Sequence, residues 1–475
     1  MLFNSLTFAV FLPLVFMLYW FVFRHSLKRQ NVLVLLASYV FYGWWDWRFL
    51  GLILLSTLVD FFVGLQLRKT ETPKQRKFYL LLSLCVNLGL LGFFKYYHFF
   101  IESWIDAWSL FGIQMHASTL EIILPVGISF YTFQTLSYTI DVYRKQLEAT
   151  RDFLQFATFV AFFPQLVAGP IERASHLLPQ FANARRFDAD FAYSGISLII
   201  WGLFKKVVVA DNCAFFVNQI FEGYGHLNSA ELFLGVLLFG IQIYGDFSGY
   251  SDIAIGVGRL FGFSLQTNFA FPYFSRSISE FWRRWHISLS SWFRDYVYIP
   301  LGGSRGSLGM HARNICVVFL VSGLWHGANW TFLVWGAVHA FLFLVPLLFK
   351  VSQNHGRETQ LAGYQFPSML LTFLMVCLAW VFFRADSVPI AWDMLGKIFS
   401  FEGHSLGVFY KNSKSLLFAV ITVVGIFVLW LYEFLAVQGN QQEVRLSRYH
   451  AIFIGVLIVF MGVYKNPSDF IYFQF

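Results

Sequence analysis

Apolar stretches recur along this chain from Leu6 to Val463 with only short polar breaks between them. They run Leu6–Phe23, Asn31–Trp45, Phe49–Leu67, Phe78–Tyr96, Glu121–Ile140, Phe153–Pro170, Tyr193–Ala210, Leu232–Gly249, Ile253–Phe263, Ile315–Phe349, Ser368–Phe383, Ser415–Leu435 and Ala451–Val463. At roughly 20 residues per crossing helix, this predicts about 11–13 membrane segments, several too short to cross alone. No hydrophilic block is large enough to fold separately, so residues 1–475 read as one all-α polytopic membrane domain.

The run Ile315–Phe349 holds no Asp, Glu, Lys or Arg across its 35 residues. As one helix it would be roughly 50 Å long, against a bilayer core of about 30 Å. A break is therefore expected within Ser322–Asn329, where Gly323 and Gly327 flank His326. Irregular backbone at membrane depth is tolerated only inside protein or beside water, so the break predicts a polar pocket around His326. The segment Ser277–Tyr296 reads differently. Ser277 and Glu280 form a capping-box signature, and Phe281, Trp285, Leu289, Trp292, Phe293 and Tyr296 recur at helical spacing opposite Arg283, Arg284, Ser291 and Arg294. That pattern predicts one amphipathic helix lying at the cytoplasmic interface, with His286 at the edge of its apolar face.

A composition 57% hydrophobic and only 13% charged, with a mean hydropathy of +0.60, rules out an ordinary soluble domain. The net charge of +8 would suggest nucleic acid in a soluble protein. Here Lys and Arg sit in short loops, where they report orientation and attract anionic headgroups, so the partner is the lipid bilayer and not nucleic acid. The basic loops Arg24–Arg29, Arg68–Lys77 and Arg144–Arg151 are expected in the cytoplasm, with the N-terminus and the stretch His98–Leu120, which lacks Lys and Arg, outside. The same bias puts Phe271–Arg313 on the cytoplasmic side. The N-terminal apolar run lacks a basic flank before it and a small-residue cleavage site after it, and reads as a retained span. Cys85, Cys213, Cys316 and Cys377 are far apart with no metal-ligand spacing, and read as small core residues.

An ionisable group in hydrocarbon is expensive unless it lines a cavity or does chemistry, so His326 and His286 are the first candidates for an active site. A reference pKa near 6.5 lets a histidine take a proton at neutral pH as a general base; the competing readings are a packing histidine bonded to a neighbouring helix for His326 and an interfacial histidine bonded to a carbonyl for His286. Asn329, three residues after His326, could orient the imidazole, donate to an oxyanion, or simply join two helices. Asp246 and Asp252, in YGDFSGYSDIAIG, mark either a pathway or a structural bond to a basic partner, for which Arg283 or Arg284 is available. Lys205 and Lys206 interrupt an apolar run and are expected to snorkel to the interface. The turn Pro300–Gly306 offers Arg305 and backbone amides to a donor phosphate, without the spacing of a P-loop. The GxSxG, HExxH and dinucleotide signatures are missing, so soluble-type hydrolase, metalloprotease and Rossmann chemistry drop out.

Taken together, FWRRWHISLSSWFRDYVYIPLGG from Phe281, SGLWHGANWTFLVWGAVHA from Ser322, YGDFSGYSDIAIGVG from Tyr244 and LPVGISFYTFQTLSYTIDVYR from Leu124 resemble the membrane-bound O-acyltransferase (MBOAT) family. The likeness runs from ASYVFYGWWDWRFL at Ala37 to the terminal FIYFQF, and is to the bacterial branch that O-acetylates alginate; teichoic acid D-alanyl transfer proteins are a more distant likeness. The resemblance implies a ring of helices around a central cavity, with a cytoplasmic opening for the donor and an external one for the acceptor. It places the family's catalytic histidine on His326 and its second active-site position on His286; Trp325, next to His326 in the motif, is a supporting candidate. It further implies an acyl, in this branch acetyl, group taken from a cytoplasmic thioester, acetyl-CoA or an acyl-carrier protein, with no permanently bound cofactor or metal. The acceptor would be an exported polysaccharide such as alginate, or a relay protein, with periplasmic acetyltransferase proteins as partners at a bacterial inner membrane. D-alanyl or other acyl transfer to a cell-wall polymer is the alternative within the family. A non-catalytic transporter of acyl groups or polysaccharide, and a bis-histidine haem or metal protein, are the rivals outside it.

Overall fold

The computed structural model describes residues 1–115, 120, 122–349, 365–464 and 470–471, and these are helical with no strand. The chain forms two compact units, Met1–Tyr193 with Val257–Leu265, and Ser194–Gly256 with Gln266–Phe475. The first is built from α1 (Leu6–Met17), α2 (Leu27–Asp46), α3 (Leu50–Lys69), α4 (Pro73–Leu91), α5 (Tyr97–Ser109), α6 (Ile128–Tyr143), α7 (Phe153–Ala161) and α8 (Ala174–Ala182). Helix α9 (Ala189–Leu203) leads into the second, which holds α10 (Asp211–Glu222), most of α11 (Ser229–Leu260), α12 (Ile278–Arg284), α13 (Ile287–Phe293), α14 (Leu308–His326), α15 (Trp330–Leu348), α16 (Phe366–Arg384), α17 (Val388–Ser400), α18 (Gly407–Tyr410), α19 (Ser413–Gln438) and α20 (Arg448–Met461).

Among the described residues, eight helical stretches are long and apolar enough to cross a membrane, with shorter apolar helices at Leu6–Val22 and Arg448–Met461. The all-α polytopic reading is thus borne out, while several span boundaries move. Phe153–Pro170 is not a single span: α7 ends at Ala161, and Phe162 to Gly169 is turn. The span expected from Glu121, a residue outside those described, begins only at Ile128, after Gly127 in the left-handed region (φ 76°). A Cβ on Gly127 would lie 2.6 Å from the Leu166 carbonyl, so that turn needs glycine twice over. Ile253–Phe263 is not a separate span but runs on from the preceding one in α11, 32 residues long. Its glycines are contact points rather than breaks, since a Cβ on Gly249 would meet the Gly202 carbonyl at 2.7 Å and one on Gly256 the Gly195 carbonyl at 2.5 Å.

A π-turn, Phe204–Ala210, follows α9 and turns both of its lysines inward. Lys205 and Lys206 are buried, 2% and 0% exposed, so neither snorkels to an interface. The reason is a set of carboxylates within reach: Lys205 pairs with Asp252 at 2.6 Å, and Lys206 with Asp246 at 2.6 Å and Asp211 at 2.9 Å. The first unit has its own buried polar cluster, in which Asp60 accepts from Asn87 Nδ2 at 2.8 Å, Thr139 Oγ1 at 3.1 Å and Ser83 Oγ.

Candidate active site

The long apolar run breaks where expected. Helix α14 starts on Ser307, whose Oγ accepts from Met310 N, and ends at His326 because Gly327 is extended (φ −159°, ψ 152°). Asn329 then caps α15, its Oδ1 accepting from Thr331 N at 3.0 Å while its Nδ2 donates to the Asp386 carbonyl at 3.3 Å. The two helices pack through glycine: a Cβ on Gly323 would sit 2.3 Å from the Phe332 carbonyl, and one on Gly336 2.4 Å from that of Phe319. This close antiparallel approach fixes His326 at the tip of α14, 5% exposed, with the rings of Trp325 at 5.0 Å, Trp335 at 5.1 Å and Phe383 at 5.4 Å.

The segment Ser277–Tyr296 is not one amphipathic surface helix. Ser277 does cap it, accepting from Glu280 N at 3.2 Å, but Glu280 reaches back to Arg276 N rather than to its own cap. After α12 the chain turns at Trp285 and His286, and α13 starts afresh. His286 is in the left-handed region (φ 44°, ψ 53°), which is uncommon for a side chain of this size and is sustained only by its surroundings. Two backbone bonds supply that support: Ile287 N donates to the Asn268 carbonyl at 2.9 Å, and Ala270 N to that of Arg284 at 3.0 Å. Apolar spacing continues across the kink, so the periodicity alone gave no sign of it. The kink turns His286 inward to full burial, 0% exposed, with Phe247 at 4.7 Å, Trp325 at 6.0 Å and the His326 ring at 6.4 Å.

The structure therefore brings together His326, His286 and Trp325, from two motifs 40 residues apart, in one aromatic pocket. His286 lies between the candidate spans, and burial among these rings pushes its imidazole down to about 3, so it is neutral at physiological pH. The other candidates are engaged elsewhere. Asp246 and Asp252 neutralise the buried lysines and not Arg283 or Arg284; Asp246 also accepts from Ile471 N at 2.7 Å. Asn329 is a helix cap, and Arg305 is exposed in its turn.

Two residues escaped sequence reasoning. His339, within the second motif, is buried with Trp282 Nε1 donating to its Nδ1 at 3.4 Å, and its ring lies 4.9 Å from Trp335, which also packs on His326. Asn268 accepts from His286 Nδ1 at 3.1 Å. The only sequence signal for either was a polar side chain set in an apolar stretch.

Beside this pocket, a cavity of about 240 Å³ is lined by Ser290 and Arg294 near α13, Tyr298, and His311, Ile315 and Ser322 of α14. Ser322 is one helical turn before His326, so cavity and histidine share a face of α14.

Comparison with known proteins points to one family. Residues 144–392 match the model of the MBOAT, membrane-bound O-acyltransferase, family. The chain is 40% identical, over 90% of its length and 85% of the relative's, to a protein named probable alginate O-acetylase from Azotobacter vinelandii. It is 36% identical, over 88% of its length and 83% of the relative's, to a peptidoglycan O-acetyltransferase of Helicobacter pylori. A teichoic acid D-alanyltransferase of Bacillus subtilis is 27% identical over 57% of this chain and 71% of that one.

Proposed function

Because the chain belongs to the membrane-bound O-acyltransferase family, and is by that membership a multi-pass membrane O-acyltransferase, we propose that it transfers an acetyl group from a cytoplasmic thioester to a hydroxyl on an exported polysaccharide. The observation that carries this reading is the pair of buried histidines meeting at a broken span. A donor thioester such as acetyl-CoA or an acyl-carrier protein has a bulky, charged carrier that cannot cross hydrocarbon. A pocket at depth lets the acyl end meet a hydroxyl from the other side while the carrier stays in the cytosol.

His326 takes the proton of the acceptor hydroxyl as its oxygen attacks the thioester carbonyl, giving a tetrahedral oxyanion. Collapse of that intermediate breaks the carbon–sulfur bond, and the departing thiolate takes the proton back from His326. The cavity beside α14 is the donor's approach in this reading, with Arg294 and His311 among its polar lining and Ser322 next to the histidine. Relatives named for alginate and peptidoglycan O-acetylation support an acetyl group and a glycan acceptor. In this reading the acceptor is reached directly or through periplasmic acetyltransferase partners at a bacterial inner membrane. The relative named for teichoic acid D-alanylation supports a second reading, D-alanyl transfer to a cell-wall polymer.

The test is transfer of labelled acetyl from acetyl-CoA to a panel of glycans, by membranes holding equal amounts of each variant. His326→Ala is expected to lower the rate by about 10²–10⁴-fold, the usual worth of a general base. Transfer by that variant at the wild-type rate would overturn the reading.

A further inference from the structure

The side chain of Asn268 is fully buried, 0% exposed, and is organised around His286. Its Oδ1 accepts from His286 Nδ1 at 3.1 Å, from Ser288 Oγ at 2.8 Å and from Ser288 N at 3.3 Å, while its Nδ2 donates to Ser251 Oγ at 3.1 Å. The orientation of the amide follows from these partners. A backbone N–H can only donate, so the atom facing Ser288 N is the oxygen. An oxygen facing His286 Nδ1 in turn requires the hydrogen to be on Nδ1. In a neutral imidazole with its hydrogen on Nδ1, the lone pair is on Nε2.

We infer that Asn268 is a positioning residue that locks His286 in the Nδ1–H tautomer, so that His286 serves the reaction through Nε2 as a hydrogen-bond acceptor. The inference rests on the proposed transfer reaction and sharpens it. A developing oxyanion needs a donor, and Nε2 of this tautomer offers a lone pair, so the partner of His286 is a proton-bearing group that keeps its proton, such as a second hydroxyl of a polysaccharide acceptor. His326 and His286 then divide the work: one removes the proton of the attacking hydroxyl, the other holds a neighbouring O–H and so aligns the acceptor. His286, at φ 44°, is in a backbone region that is uncommon outside glycine. The backbone bonds between residues 268–270 and 284–287 bring Asn268 to it, so one short segment sets both the turn and the tautomer.

Two variants test this beside His326→Ala and His286→Ala. Asn268→Asp keeps the acceptor oxygens but puts a carboxylate against Nδ1, which favours the imidazolium and turns Nε2 into a donor. Among the described side chains that bond or stack with His286, His326 is titratable, and Asn268, Ser288, Phe247, Phe269 and Trp325 are uncharged. Dividing the kcat of Asn268→Asp by that of wild type at each pH removes the titration common to both chains. That ratio is expected to fall about fivefold or more from about pH 8.5 to about pH 6. Asn268→Leu, which frees the tautomer, is expected to lower kcat about tenfold at every pH while the KM for acetyl-CoA stays within about twofold. A pH-independent ratio for Asn268→Asp, or wild-type kcat for Asn268→Leu, with both histidine variants inactive, would refute the tautomer lock alone. Activity in the histidine variants would instead remove the reaction on which it stands. Should Asn268→Leu fail to accumulate in membranes, the Asn268→Asp ratio decides.

Discussion

His286 and His326 are both buried, but the groups that hold them have different consequences for stability. His286 is kept neutral by burial, its folded pKa near 3 lying below the ordinary value of 6.5. An unfolded chain takes up a proton at this position as pH falls through about 6.5, and the folded chain does not. The stability associated with the neutral ring is therefore complete above that value and lost progressively toward pH 3. Wild-type protein in detergent is expected to lose more melting temperature between pH 7 and pH 5 than His286→Asn, since asparagine tolerates the left-handed backbone and does not titrate. Equal slopes in the two would show that His286 is not a source of acid lability. The buried lysines pose the converse case. Removing Lys206 strands Asp211 and Asp246 without their cation, so Lys206→Ala is expected to cost about 3–5 kcal/mol in thermal or denaturant unfolding. Combining Lys206→Met with Asp246→Asn should recover part of that loss, because fewer unpaired charges remain. If the double variant is no more stable than Lys206→Ala, the pairing is not what holds these helices.

At the scale of elements, the paired helices α14 and α15 position His326 through backbone contact rather than through side chains. Gly323→Ala and Gly336→Ala each drive a methyl group into a carbonyl of the partner helix, which cannot retreat as a flexible side chain would. Both are expected to lower melting temperature and to lower transfer by about tenfold, since small misplacements of a catalytic group are costly. Gly89→Ala in α4, where a Cβ meets nothing within 4 Å, is the control and is expected to be neutral or slightly stabilising. Wild-type transfer by both α14–α15 variants would show that close packing does not place His326. How far these elements were legible in the sequence depends on whether the cause was local. The break at His326 was legible because a charge-free run too long for a bilayer, with glycines at one place, has one obvious solution. The kink at His286 was not, because the apolar positions 281, 285, 289, 292 and 293 fit a continuous helix, and the bonds that support the turn come from Asn268 and Ala270, well upstream in the sequence. Lys205 and Lys206 misled for the same reason: Asp246 and Asp252, which make burial tolerable, come from α11.

At the scale of the whole molecule, apolar run lengths gave the class correctly, while some boundaries moved among the described residues, as where α11 keeps two apolar runs in one continuous helix. Charge, in contrast, makes a claim about sidedness that can be measured. The basic residues Arg68, Lys69, Lys74, Arg76 and Lys77 flank the short junction between α3 and α4, and the positive-inside rule puts that junction in the cytoplasm. The next crossing stretch, Pro73–Ser109, leads to exposed positions that include Gln114, where the flanking sequence has no Lys or Arg and the outside is favoured. A single crossing between them places Glu71 and Gln114 on opposite sides. Glu71→Cys is therefore expected to react with a membrane-impermeant maleimide in inverted vesicles and not in spheroplasts, and Gln114→Cys the reverse. The four native cysteines are free, with Cys213 and Cys377 buried, and the unsubstituted chain supplies the background to subtract. Labelling of Glu71→Cys from outside would overturn this orientation.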